Sequence, residues 1–456
     1  MAVQVTTPGS QAVHAGDGEL RRVLGLGDLI LLIVGTVIGS GIFLVPSTVL
    51  RSVGNSAPLA LLVWVIGGFL SLLGALTYGE LSARKPEAGG LYVYIRDCFG
   101  GLAAFLFGWV LFFVVSSGSV ATLAVAFSTY LGGLIELNGW TAKLVSLFVI
   151  VVIAMVNVRG TRHSANLQNL TTAIKLTAIV AMAMVLLWFS KGSHSSAAVV
   201  STGSSLGGLW SGLGAALVSV LWAYEGWQYA TYTAGETIDP QRNFPLAFLA
   251  GVGILITVYL VANLGYFAAL GADGVASSSR VATSAVATIN PALGKFVTIA
   301  ILISIFSAAN SITLTSPRVF YAMARDGVFF QKLAGVHPRF GTPAFAILAA
   351  SAWASLLAIT GTFEQLLTYV VFVGWAFYAL AAACVFVYRK RAMDPPVYRV
   401  PAYPWTPACF IGIVVLFVLN TIVHQPLEAL IGIVVVLTGV PAFLAWKRQP
   451  HANRAA

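Results

Sequence analysis

Apolar runs of roughly 20 residues recur along the whole chain, separated by short polar connections that hold most of the charge. A run of about that length crosses the hydrocarbon of a bilayer as a helix. A membrane barrel would need alternating segments of about ten residues, which the pattern lacks. The runs predict twelve transmembrane helices, at roughly 26–50, 57–82, 99–131, 143–158, 167–189, 209–234, 244–270, 294–324, 343–360, 365–388, 407–424 and 427–446. A tail over 1–22, a helical membrane domain over 23–446 and a second tail over 447–456 complete the expected organisation.

Composition supports this reading. Hydrophobic residues make up 58% of the chain and charged residues only 9%, against about 25% charged in soluble domains. So few charges cannot coat a water-exposed fold. The first 20 residues are polar, with no short apolar core before a small-residue cleavage site, so span 1 is expected to serve as its own targeting signal.

The net charge of +10 is informative through its placement. With residue 1 in the cytoplasm, 19 of 25 Lys and Arg fall on cytoplasmic connections, helix ends or tails. Arg51, Lys143, Lys191, Arg280 and Lys295 lie on the other side, and Lys175 lies inside a span. The positive-inside rule therefore predicts that both termini are cytoplasmic. The basic excess suits contact with anionic membrane lipid. Nucleic acid is not an expected partner, because no basic–aromatic motif is present. Cys98, Cys384 and Cys409 form no CxxC pair, so neither a disulfide framework nor a zinc site is expected. No metal or other cofactor is expected, and the chain is expected to be a monomer or a homodimer.

Three spans carry anomalies. Span 1 contains GTVIGSGIF (residues 35–43), a poor helix near mid-depth. Span 6 reads LVSVLWAYEGWQYATYTAGE, with Glu225-Gly226 between Trp222, Tyr224 and Trp227. Span 5 carries Lys175, about eight residues from the expected helix start, which is roughly 12 Å at 1.5 Å per residue. Glycines in a span serve close helix packing, and Gly35 and Gly39 fit that pattern. Gly41, with Ser40 before it, fits less well and suggests unwinding. Unwound backbone at membrane depth is tolerated only where it lines a cavity or is buried in protein. Glu225 reads as a paired or protonated core carboxyl or as a functional group, and Lys175 as a snorkelling side chain or as a functional group.

The two broken spans lie five spans apart. Secondary transporters built from inverted repeats interrupt corresponding helices at mid-membrane and bind substrate there. Half-helix N-termini offer amides and a positive dipole end to a carboxylate. Half-helix C-termini offer carbonyls to an ammonium. An α-amino acid presents both charges on one carbon. Enzyme chemistry finds no support: HExxH is absent, and no serine in a span has a plausible histidine nearby.

Several segments in order resemble the amino acid–polyamine–organocation (APC) superfamily, and within it the L-type amino acid transporter family and its bacterial relatives. They are GTVIGSGIF, GALTYGELSARKPEAGGLYVYIRDCFG, WAYEGW with GETIDPQRNFPLA, NSITLTSPRVFYAMARDG, HPRFGTPAFA and PVYRVPAYPWTPA. The resemblance implies an all-α integral membrane protein of twelve helices, with a five-plus-five inverted repeat of the leucine-transporter type and broken helices 1 and 6. The repeats would cover about 26–190 and 209–390, with two further helices over 405–446.

The resemblance also implies site residues. The amides and hydroxyl of Gly39, Ser40 and Gly41 would hold the substrate carboxylate. Carbonyls among Val37, Trp222, Ala223 and Glu225 would hold the amino group, with Ile38 and Gly226 completing the two breaks. Ile38, Trp222, Glu225 and parts of spans 3, 8 and 10, including Gly374 and Trp375, would line the pocket. Trp222 would close it toward the outside. Lys175 stands where sodium-coupled relatives of this fold bind a cation. Two departures matter: Glu225 replaces a glycine common in animal members, and Ile312 replaces a common hydroxyl. Ser307, Ser311 or Thr313 would then be the span 8 partner of Lys175. Animal members bond a glycoprotein through a cysteine between spans 3 and 4. Here GGLIELNGWTA has none, so no disulfide-linked heavy chain is expected.

The leading expectation is sodium-independent exchange of neutral L-amino acids across the plasma membrane by alternating access. The alternative is a proton-coupled permease, with Glu225 or Lys175 titrating, that accepts cationic amino acids or amines. A third reading is an amino-acid-binding membrane receptor.

Overall fold

The computed structural model describes residues 20–190, 206–360, 363–392, 397–424 and 426–447. The expected tails lie almost wholly outside these residues, as does Lys191. The described chain is helical apart from one isolated backbone bridge between Leu24 and Thr237. The principal helices are α1 (Leu26–Val37), α2 (Gly41–Ser52), α3 (Ala57–Arg84), α4 (Gly101–Leu131), α5 (Gly139–Val158), α6 (Thr161–Phe189) and α7 (Leu206–Ala223). After a 3-10 segment at Trp227–Glu236 follow α8 (Pro240–Ser277), α9 (Leu293–Arg325), α10 (Ala344–Thr360), α11 (Phe363–Lys390), α12 (Trp405–His424) and α13 (Pro426–Lys447).

Among the described residues, eight helices are long and apolar enough to cross a membrane, and the bent pair α1–α2 makes a ninth. This is a multi-pass membrane protein. Its outward faces are apolar at helical spacing: Leu144, Phe148, Val151 and Met155 stand exposed along α5, and Leu62, Ile66 and Phe69 along α3. In water such stripes would be a liability. In lipid they face a solvent of their own polarity.

The centre is different. The helix-to-helix interior carries Asn157, Ser164, Gln168, Ser307 and Asn310, all buried, in one hydrogen-bonded set. Asn157 donates to Asn310 at 2.9 Å, Asn310 to Gln168 at 3.0 Å, and Gln168 to Ser307 at 3.0 Å. The set ties α5, α6 and α9 together behind the first break. Each group is paired, as burial away from water requires.

Several helices outrun the apolar runs that predicted them. Asn138 caps α5 by accepting from the amides of Trp140 and Thr141, so the helix begins before the expected 143. Likewise α6 starts at Thr161 rather than 167, because its first turns are polar and hydropathy cannot see them.

Candidate functional site

The first break follows from a change of hydrogen-bond partner. In a continuous helix the Gly39 amide would donate to the Gly35 carbonyl. Instead it donates to Val37 at 2.9 Å, and Ile38 leaves the helical region with ψ of 87°. The axis bends by 48° between α1 and α2. The Gly35 carbonyl is thereby released, and α2 opens at Gly41, where the first amides of a helix have no intrahelical acceptor.

Lys175 takes up what the bend releases. Its ammonium donates to the Gly35 carbonyl and to the Ile38 carbonyl, each at 2.6 Å, and the residue is fully buried. It stands 14 positions after the first residue of α6, roughly 21 Å along the axis. The snorkelling reading is thereby excluded. The Ser304 hydroxyl in α9 lies 3.0 Å from both the Ile38 and Gly39 carbonyls. Ser304 therefore joins Lys175 on the unwound segment, in place of Ser307, Ser311 and Thr313. Ser307 is engaged by Gln168, Thr313 bonds back to Ala309, and the buried Ser311 hydroxyl has no partner among the described residues.

The second break is built without a cation. α7 ends at Ala223, and Gly226 has φ of +127°, a region closed to most L-residues. A side chain there would also sit 3.1 Å from the Thr36 carbonyl carbon, so the break in one half packs directly on the other. The Gln228 side chain accepts from the Gly226 amide at 3.1 Å. Tyr259 of α8 spans both breaks: its hydroxyl lies 2.9 Å from the Ala223 carbonyl and 3.2 Å from that of Val37.

Between the breaks lies a cavity of about 70 Å³. Thr36, Val37, Gly39, Ser40 and Gly41 line one side, with Trp222, Ala223, Glu225, Gly226 and Tyr229 opposite. α4 contributes Ser119, Thr122 and Leu123, and α9 contributes Ala308 and Ile312. A single π turn at Leu111–Val115 precedes the α4 residues, a device that re-aims side chains near functional sites. The hydroxyls of Ser40, Thr122 and Tyr229 are buried and have no partner among the described residues. Such groups call for a ligand or water. Glu225 accepts from Tyr378 of α11 at 2.9 Å.

Thus the structure gathers Val37, Gly39, Ser40, Gly41, Trp222, Ala223, Glu225 and Gly226 around one cavity. Ile38 is not among its lining residues; its side chain is buried and its carbonyl serves Lys175. Gly374 and Trp375 are also absent from the lining, and Trp375 packs instead on Tyr378, Phe410 and Phe417. Gly35 is a packing glycine, because a side chain there would strike Gln168 and Thr172 of α6. Gly39 has ordinary room around it, with nothing nearer than 3.5 Å to an added methyl, whereas Gly41 lies 3.1 Å from Ala223 by the same measure. Packing and unwinding are therefore shared among the three glycines.

The sequence pattern of the amino acid permease family matches residues 24–441. The chain is 31% identical over 443 residues to the serine/threonine exchanger SteT of Bacillus subtilis (strain 168), covering 96% of this chain and 99% of that one. It is 30% identical over 465 residues to the large neutral amino acids transporter small subunit 2 of Mus musculus, covering 98% of this chain and 85% of the relative. The human cystine/glutamate transporter is 30% identical over 458 residues, with 97% and 88% covered.

Proposed function

Because the chain belongs to the amino acid permease family, and is a transporter rather than an enzyme, we propose that it exchanges small neutral L-amino acids across the plasma membrane without sodium. The observation that carries this reading is the fully buried Lys175 ammonium on the Gly35 and Ile38 carbonyls. A fixed cation there does the work of a bound one. It satisfies carbonyls that unwinding exposes, and it is present in every step of the cycle.

Substrate would sit between the breaks, its carboxylate on the first-turn amides of α2 and the Ser40 hydroxyl, its ammonium toward the carbonyl end of α7. The cavity, at about 70 Å³, is small, which suits a small side chain. The free hydroxyls of Thr122 and Tyr229 favour a hydrogen-bonding side chain, and one relative is named for serine and threonine.

The same proposal includes the twelve-helix architecture, with repeats over about 26–190 and 209–390, α12 and α13 appended, and both termini cytoplasmic. Two broken spans five apart and the Lys/Arg placement support it. A disulfide-linked heavy chain is not part of the proposal. The connection after α4 has no cysteine, and Cys98 and Cys384 are buried, although one relative is named as a small subunit. Proton coupling is the second reading, favoured by Glu225, a carboxyl on the cavity wall held by the single phenol of Tyr378.

Counterflow in proteoliposomes tests the reading. A neutral amino acid inside should drive uptake of a labelled one at the same rate in sodium and in choline. A strict sodium requirement, or no flux across a full amino acid panel, overturns it. Uptake that follows an imposed proton gradient without internal substrate selects the second reading.

A further inference from the structure

At the end of the bundle that carries residue 21, two basins flank the first helix. In one, arginines meet acids: Arg96 pairs with Asp326 at 2.8 Å and approaches Glu87 at 3.6 Å. The other basin, of about 710 Å³, is lined by Arg21, Arg159, Arg162, His163 and Arg339, with Glu236 as its one acid. That acid is already used. Glu236 is buried, bonded by Arg318 at 2.6 and 3.0 Å and by the Thr161 hydroxyl at 2.7 Å. Arg162 leans on Asp28 at 2.8 Å. Among the described residues, Arg21, Arg159 and Arg339 have no carboxylate partner.

Four arginines from three separated segments thus line one concavity, three of them with no carboxylate partner among the described residues. Like charges held this way repel unless an anion joins them. The floor adds to the field. The first turn of α6 opens into the basin through Gly160, Thr161, Arg162 and His163, with no side-chain cap. Its amides and dipole favour negative charge. Guanidinium forks match phosphate oxygens bidentately, which a lone chloride cannot exploit.

We propose that this basin is a binding site for a phosphate-bearing anion, supplied either by the headgroup of a membrane lipid or by soluble phosphate. The anion would link the segment before α1 (Arg21), the α5–α6 turn (Arg159, Arg162) and the α9–α10 connection (Arg339). It would also lie beside the Thr161–Glu236–Arg318 cluster, which joins α6, the second broken span and α9. The proposal does not depend on which amino acid is carried.

The test uses the full-length protein in detergent at constant ionic strength. Thermal unfolding is followed while dioctanoyl phosphatidic acid, inorganic phosphate or dioctanoyl phosphatidylcholine is titrated. Phosphatidic acid should raise the midpoint saturably and phosphatidylcholine should not. In Arg159→Gln/Arg339→Gln, two exposed positions outside the substrate cavity, the affinity should fall by about tenfold or more. Its amino acid exchange in phosphatidylcholine vesicles should stay at the parental rate, which certifies the fold. Phosphatidic acid binding at least about tenfold tighter than inorganic phosphate identifies the lipid as the source; equal affinity identifies soluble phosphate. No saturable stabilisation by either anion, or equal stabilisation by phosphatidylcholine, overturns the site without need of a variant. Undiminished affinity in the folded double variant overturns it as well.

Discussion

The two breaks solve one problem by different means. In the first, at residues 38–40, no residue takes a positive φ, and the released carbonyls are held by side chains brought from afar: Lys175 from α6 and Ser304 from α9. In the second, at residues 224–226, no ammonium takes part. A glycine adopts a backbone angle that other residues avoid, and Gln228, two positions on, bonds its amide. The first break is held chiefly by an ammonium from a distant helix, the second chiefly by local conformation, with Tyr259 of α8 reaching the carbonyls of both. Removing a distant side chain should therefore undo the first, whereas adding a methyl in place should undo the second.

The largest effect is expected at Lys175. Lys175→Ala strips the ammonium from two carbonyls in a dry interior. Ser304 still reaches Ile38 but nothing described replaces the bond to Gly35. An unsatisfied buried acceptor costs about 1–3 kcal/mol, more where the lost donor was charged. Exchange should fall by about two orders of magnitude in protein that still inserts and is monodisperse. Lys175→Arg should recover little, since a planar guanidinium does not fit where a compact ammonium makes two 2.6 Å bonds. Parental exchange in both variants between about pH 5 and 8 would remove the account of sodium independence.

Gly226→Ala comes next. The cost of φ at +127° for an alanine is about 1–3 kcal/mol, and the methyl meets the Thr36 backbone at 3.1 Å. Exchange and thermal stability should both drop, with about tenfold lost in rate. Gly39→Ala is the control in the other break, where the methyl finds 3.5 Å of room and no forbidden angle. Stability should hold there, even if the methyl intrudes on substrate. Equal destabilisation by the two alanines would show that the breaks do not differ in the way described.

How much of this was legible in the sequence follows from the same contrast. A lysine or a Gly-Ser-Gly run inside an apolar span is an anomaly that the bilayer makes costly, so residues 35–41, Lys175 and Glu225-Gly226 stood out. Ser304, Thr122, Ser119, Tyr229, Tyr259 and Tyr378 did not. Hydroxyls are unremarkable in membrane helices because they bond back to their own backbone, as Ser119 does to Val115 and Thr36 to Leu32. Nothing in one sequence tells such a serine from Ser304, whose hydroxyl turns to another helix. The expectation that Ile38 lines the pocket failed for a related reason. Unwinding rotates the chain away from the 3.6-residue repeat, and the side chain turns into the core while its carbonyl faces Lys175.

The smallest effect is expected at Tyr259, and it probes whether the breaks act together. Its hydroxyl lies within reach of the Val37 and Ala223 carbonyls, the last residues of α1 and α7. One proton serves one acceptor at a time, so the hydroxyl has a choice between the two breaks. Tyr259→Phe keeps the ring, whose contacts with Trp64 and Tyr224 have centroids 5.4 and 4.9 Å away. It removes one neutral hydrogen bond, worth about 0.5–1.5 kcal/mol, so stability should change little and exchange should fall only a few-fold. The informative quantity is the coupling. Ser304→Ala acts on the first break, whereas Gly226→Ala strains the second and also presses on Thr36 beside the first, so the Ser304 cycle is the cleaner of the two. If Tyr259 joins them, a double-mutant cycle with either variant should give a coupling of at least about 0.5 kcal/mol in exchange rate. Strict additivity with both would mean that the hydroxyl merely satisfies the Ala223 carbonyl, at 2.9 Å the nearer of its two acceptors.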